Sequence, residues 1–191
     1  LILGINGFST NKSMCRRKAI TASTALTTTA ISLPVKADEQ PKELSVIEPL
    51  SLHFYGAVTD ESCMQLTMAL NDLDKKAKHQ KVIYPDINPF ISLHIQSGGG
   101  ALMPTFFVCD TIKNLDTPVF IYVDGFAASA ASLMVVSGKK RFMTRNSAML
   151  VHQLTGATSG KFNELKDEMT NLNFFMNKVK NIYLENTKLN S

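Results

Sequence analysis

The stretch "VDGFAASAASLMVVSG", residues 123–138, decides how the chain is read. An apolar run ending at Val123 meets Asp124 and Gly125, then alanines interrupted by Ser129, then an apolar segment with no turn signal before Gly138. That order spells strand, tight turn, helix. Ser129 falls at the junction and admits two readings. A hydroxyl at a helix start lies near the orphan N–H groups and the positive end of the dipole, which suits a nucleophile where negative charge develops. "AASAAS" equally describes small residues that let a helix pack closely, and the GxSxG pattern of a nucleophile elbow is not matched.

The same order recurs upstream. "LSLHFYG" (50–56) reads as a strand closed by Gly56, and "TDESCMQLTMALNDLDKKAK" (59–78) as a helix with Thr59 as N-cap and Asp60 and Glu61 in its first turn. Cys63, Leu66, Leu70, Leu73 and Ala77 share one face of it. "HQKVIYPDINPF" (79–90), with two prolines, is expected to be a loop. "ISLHIQ" (91–96) gives a second strand ended by "SGGG", and the helix after it aligns Leu102, Phe106, Cys109 and Ile112, with Pro104 tolerated in the first turn. "TPVFIYVDG" (117–125) is the third strand and 129–137 its helix.

Three strands thus end in glycine just before a helix, which predicts an α/β domain with a mainly parallel sheet and a site at the C-terminal strand ends. "KRFMT" and "SAMLVHQ" read as short strands, the second ending at His152. The segment 161–187 spaces Phe162, Leu165, Met169, Leu172, Met176, Val179 and Tyr183 three or four apart, a long amphipathic helix.

With 191 residues and 45% hydrophobic content, the chain suffices for one domain with a real core. The formal charge of +4 arises at the start, where residues 1–37 hold Lys12, Arg16, Arg17, Lys18 and Lys36 and no acidic residue. The remainder sets 15 basic side chains against 16 acidic ones, so no electrostatic case for nucleic acid exists. Residues 1–37, rich in Ser, Thr and Ala and poor in large apolar residues, read as a targeting leader, with 38–49 a linker. "RRK" before a weakly apolar segment ending in "LPVKA" points to a plastid, with a mitochondrion as the alternative. No run reaches the ~18 apolar residues of a membrane span. Cys63 and Cys109, each on an apolar helix face, are expected as buried free thiols.

His152 is the natural base for Ser129, since both close strands, although a lone histidine after an apolar strand is also a common structural residue. His53, His79 and His94 fit no ligand spacing, so no metal is expected. "SGGG" lacks the Lys-Ser/Thr ending of a phosphate loop and serves better as a source of backbone N–H donors.

Taken together, "LHFYGAVTDESCMQLTMALNDLD", "ISLHIQSGGG", "DGFAASAASLMVVSGKKRFMTRNSAMLVHQ" and the long final helix resemble the proteolytic subunit family of the ATP-dependent Clp protease, ClpP, over residues 50–191. The resemblance implies a ClpP/crotonase-like fold of repeated β-α units with a C-terminal handle helix. It implies Ser129 as nucleophile, His152 as base, and the N–H groups of Gly100 and Ala130 as oxyanion hole. Gly98 stands where the family usually has proline, and so does Leu154. The family's catalytic Asp is expected beyond the handle helix, past Ser191. The implied activity is serine endopeptidase action on unfolded proteins inside a ring chamber of homo- or hetero-oligomeric Clp subunits. The implied partner is an AAA+ Clp ATPase that uses the ATP, so the chain itself needs no cofactor. Two rivals keep the fold: a non-proteolytic structural ring subunit, and a crotonase-type acyl-CoA enzyme, whose strand and turn "PVFIYVDGFA" resembles but which usually continues with glycine where Ala128, Ser129 and Ala130 stand.

Overall fold

In a computed structural model, the structure describes residues 49–189. The leader at 1–37 and nearly all of the 38–49 linker lie outside them. The element order is β1 (Ser51–Tyr55), α1 (Asp60–Ile83), β2 (Ile91–Ser97), α2 (Leu102–Asn114), β3 (Val119–Ala128), α3 (Ala130–Ser137), β4 (Lys140–Met143), β5 (Ala148–Leu150) and α4 (Phe162–Asn186). Every strand pair is parallel, in the order β1-β2-β3-β4, with β5 also on β3. This is an α/β fold of successive β-α units with a long C-terminal helix.

Alternation along the strands sorts the two sheet faces. Ile91, Leu93 and Ile95 of β2 and Val119, Ile121 and Val123 of β3 are all 0–1% exposed. They meet Leu70, Val108, Leu133 and Met134 from the helices in one core. Burying each such side chain contributes roughly 1.5–3 kcal/mol, which fixes strand register, because a one-residue slip would turn the whole set outward. Cys63 and Cys109 are buried, unpaired thiols as expected, and burial pushes the Cys109 thiol up to about 11, so it behaves as a small apolar residue.

Helix α1 starts where expected. The Thr59 hydroxyl accepts from Ser62 N–H (3.1 Å) and the Ser62 hydroxyl accepts from Thr59 N–H (2.9 Å), a reciprocal cap. It ends later than the sequence suggested. The segment 79–83, read as loop, is the last turn of α1, because only Pro85 forbids continuation and its effect reaches back just to Tyr84. Likewise β3 does not stop at Gly125 but runs on to Ala128, and β5 stops at Leu150, two residues short of His152.

Helix α4 is the long C-terminal helix the sequence predicts, and most of its apolar stripe lies outside the core. Of the apolar stripe read from its sequence, Val179 and Tyr183 are buried, whereas Phe162 is 80% and Met169 60% exposed. Only the C-terminal part of the helix packs on α3; the rest extends from the core. Among the described residues, no helix is long and apolar enough to cross a membrane.

A buried carboxylate ties α1 to the start of β3. Asp74, 6% exposed, accepts from Thr117 N–H at 2.9 Å and pairs with Lys78 at 2.6 Å, and Lys78 also reaches Asp116 at 2.7 Å. Burial pushes the Asp74 carboxyl up, but the bonds from Lys78 and Thr117 outweigh it and hold it below its ordinary value. A depressed folded pKa means stability present above the unfolded value of about 3.9 and lost as pH falls through the folded one. Asp74→Ala is therefore expected to lower unfolding stability at pH 7 by about 1–3 kcal/mol, leaving Thr117 N–H unpaired. In urea titrations the gap from the parent protein should narrow as pH falls below 4; a gap independent of pH would refute the assignment.

Candidate active site

Ser129 sits between β3 and α3 with φ 54° and ψ −126°, the one non-glycine residue with positive φ among the described residues. Such a backbone costs about 1–3 kcal/mol, which a residue serving only helix packing has no reason to bear. The conformation turns a strand into a helix in a single step and stands the side chain at the top of the turn, as in a nucleophile elbow, without the flanking glycines of GxSxG. Alanines replace them: Ala127, Ala128, Ala130 and Ala131 are 0–4% exposed and let neighbouring backbone approach. The turn is pinned from both sides. Ser129 N–H donates to the Leu150 carbonyl at 2.9 Å, and its own carbonyl accepts from Ser132 N–H (3.0 Å) and the Ser132 hydroxyl (2.5 Å).

The glycine loop after β2 lies directly on this turn. A Cβ at Gly99 would stand 2.6 Å from the Ala128 carbonyl oxygen and 2.7 Å from Ser129 Cβ, and one at Gly100 would run into the Val58 carbonyl. Both glycines also take positive φ, 93° and 152°. Val58 N–H donates to the Gly99 carbonyl (3.0 Å) and Ala101 N–H to the Val58 carbonyl (2.9 Å), an isolated parallel bridge centred on Gly100. In such a bridge the flanking residues bond, so the Gly100 N–H faces the other way. The Ala130 N–H, first in its helix, has no intrahelical acceptor.

His152 follows β5 by two residues and is exposed. Its Nδ1 lies 2.7 Å from the Gln153 carbonyl oxygen. A carbonyl only accepts, so Nδ1 carries the proton of the neutral ring and Nε2 keeps a free lone pair, the form a general base requires. Among the described residues, this carbonyl is the partner of Nδ1.

Gly100, Ser129, Ala130 and His152 line one open pocket of about 180 Å³. Leu102, Leu133 and Val179 supply apolar wall, and Gln153, Leu154, Thr155 and Tyr183 complete the lining. Of the site residues the sequence singled out, Gly100, Ser129, Ala130 and His152 thus share one pocket. Nucleophilic attack from Ser129, proton transfer through His152 and charge stabilisation by two N–H groups are all compatible with this arrangement.

Two polar residues escaped the sequence reading. Ser132 read as one more small residue, and Tyr183 as the end of an apolar stripe. In the structure the Ser132 hydroxyl is 2.6 Å from the Tyr183 hydroxyl, the tyrosine on the pocket wall and the serine fully buried. The available signal was weak: a tyrosine on a buried stripe must find a partner for its O–H.

Comparison with known proteins agrees with the architecture. The family model described as Clp protease matches residues 48–191. The "ATP-dependent Clp protease proteolytic subunit" of Cyanophora paradoxa is 29% identical over 137 residues, 71% of this chain and 66% of that protein. The "ATP-dependent Clp protease proteolytic subunit 1" of Rhodopirellula baltica is 32% identical over 94 residues, 48% of this chain and 41% of that protein. Each match spans less than two thirds of the relative's length. With the family pattern matched over most of the chain and carried on a parallel α/β sheet with a long final helix, the chain belongs to the Clp protease family.

Proposed function

We propose that the chain is a serine endopeptidase subunit of a Clp-type protease, with Ser129 as nucleophile and His152 as base. The observation that supports this best is the left-handed backbone of Ser129 beside the exposed ring of His152 in a pocket that also gathers Gly100 and Ala130. In the proposed mechanism His152 Nε2 takes the Ser129 hydroxyl proton as Oγ attacks a peptide carbonyl. The Gly100 and Ala130 N–H groups hold the oxyanion. His152 then protonates the leaving amine, and water repeats the sequence on the acyl-enzyme. Fluorophosphonate should label Ser129, and Ser129→Ala should abolish labelling and lower peptide hydrolysis by roughly three orders of magnitude or more. Equal labelling of both proteins would refute the assignment and favour a structural ring subunit.

The proposal extends to assembly. Phe162, Met169 and Phe174 project from α4 without cover, at 80%, 60% and 55% exposure, and Leu165 stands 39% exposed beside them. An apolar stripe this exposed marks an interface, here with the counterpart helix of a facing ring. Phe174→Asp with Phe175→Asp is expected to convert double rings into single rings or monomers in sedimentation velocity; an unchanged double ring would place the contact elsewhere. The unfolded substrates would be delivered by an AAA+ Clp ATPase, which consumes the ATP.

For the acid-free leader we propose a plastid destination, with cleavage before Asp38, where "PVKA" gives way to "DEQPKE". N-terminal sequencing of the protein from its native cells should begin near Asp38, and recovery of an intact leader in the assembled protein would overturn this.

A further inference from the structure

From the pocket wall, α4 reaches the turn at Ser129 through a chain of two hydroxyls. Tyr183 is 8% exposed and Ser132 fully buried. The Ser132 hydroxyl lies 2.5 Å from the Ser129 carbonyl oxygen and 2.6 Å from the Tyr183 hydroxyl. The direction of the chain follows from chemistry alone. A carbonyl cannot donate, so the Ser132 proton goes to it, and the Ser132 oxygen is left to accept from Tyr183. The order is Tyr183 O–H to Ser132 Oγ, then Ser132 O–H to the Ser129 C=O.

The acceptor at the end of this chain belongs to the peptide unit whose N–H is that of Ala130. The described residues contain no cis peptide bond, so in this planar unit C=O and N–H point in opposite directions. Holding the Ser129 carbonyl in the interior therefore aims the Ala130 N–H outward, into the pocket it lines. Rotation of this peptide would withdraw the donor and strand two buried hydroxyls, which the low-dielectric interior penalises. Bonds received at the carbonyl also polarise the amide and make its N–H a stronger donor.

We propose that Tyr183 and Ser132 are positioning residues that set the orientation and donor strength of the Ala130 N–H, so that the packing of α4 against α3 governs oxyanion stabilisation. The inference rests on the serine-peptidase reading above. A purely structural role for the same contacts would alter stability without selecting for the transition state, and that difference is measurable.

The test uses the full natural protein in its assembled form, with Tyr183→Phe and Ser132→Ala, each of which removes an oxygen and adds no bulk. For Tyr183→Phe, kcat toward a fluorogenic peptide is expected to fall about tenfold with KM within about twofold, a fraction of the roughly 10²–10³ lost with an oxyanion donor itself. The rate of fluorophosphonate reaction at Ser129 should fall in parallel, since that reaction also builds charge on an oxygen in the hole. Acting in series, the two changes together should cost no more than Ser132→Ala alone. Unchanged kcat and labelling rate in both variants would overturn the inference, as would fully additive losses, or a rise in KM that accounts for the whole effect. A parent protein that neither hydrolyses peptide nor reacts at Ser129 refutes the peptidase reading and this inference with it; a reactive parent with equally reactive variants refutes this inference alone.

Discussion

One backbone hydrogen bond, from Ser129 N–H to the Leu150 carbonyl at 2.9 Å, holds the site together. It extends the short β3–β5 ladder, in which Ala128 pairs with Leu150, by one step past the end of β3. Ser129 can then remain left-handed, because its N–H is held by β5 and its carbonyl by Ser132. The same bond sets the position of His152, two residues beyond Leu150. The histidine is exposed and, among the described residues, its side chain hydrogen-bonds to the adjacent Gln153, so its placement near Ser129 is inherited from the ladder. Ser129 and His152 are registered by backbone pairing, which tolerates side-chain variation around them.

That ladder exists because β3 changes partners halfway. Residues 120–123 pair with β4 and 126–128 with β5. Between these halves the register with β2 steps from Ile95 opposite Val123 to Ser97 opposite Ala127, so β3 holds extra residues there, with Gly125 at φ 97°. A bulge of this kind bends a strand and increases its twist. Asp124 emerges at the bend on the sheet face away from the core, where the Tyr55 hydroxyl (2.8 Å) and His94 Nδ1 (2.7 Å) converge on one of its oxygens. Burial pushes this carboxyl up, but the two bonds and the neighbouring imidazoles hold it below its ordinary value. Beside it His53, His94, Tyr122 and Phe142, in register across four strands, stack at 4.8 Å centroid spacing. The bend that separates β4 from β5 is thus held by residues of β1 and β2, on the opposite side of the sheet from the helices.

The sequence was legible wherever local chemistry alone decides the structure. Thr59 caps its helix because the Thr-Ser spacing permits reciprocal bonding, and the strand cores alternate because one face is covered. The failures have a common physical cause: they depend on what an element meets in space. Gly125 carries a stop signal, yet β3 continues through it because β5 offers three further residues a partner. The stripe on α4 has helical period whether a core or an interface covers it, and period cannot distinguish the two. Ser132 and Tyr183 are 51 residues apart, and nothing local in either announces the other. Ser129, in contrast, stood out from neighbours that are small for a reason: a Cβ added at Gly99 would come within 2.6 Å of the Ala128 carbonyl oxygen, so the glycine loop can lie on this turn only without a side chain there.

The acceptor at His152 places a particular demand on the rest of the site. The Gln153 carbonyl fixes the tautomer and leaves Nε2 free, but it carries only a partial negative charge with which to favour the imidazolium that the proposed mechanism would form. A carboxylate in that position would bring a full charge. On the oxyanion side of the proposed mechanism, the charge that complements the imidazolium develops in the same step. That side rests on two amides whose directions are set by different means: Gly100 by the bridge to Val58, and Ala130 by the carbonyl anchored through Ser132 and Tyr183. The first anchor lies within the sheet layer. The second runs through the helix whose far end is bare of cover, so whatever covers that helix bears on the amide opposite the histidine.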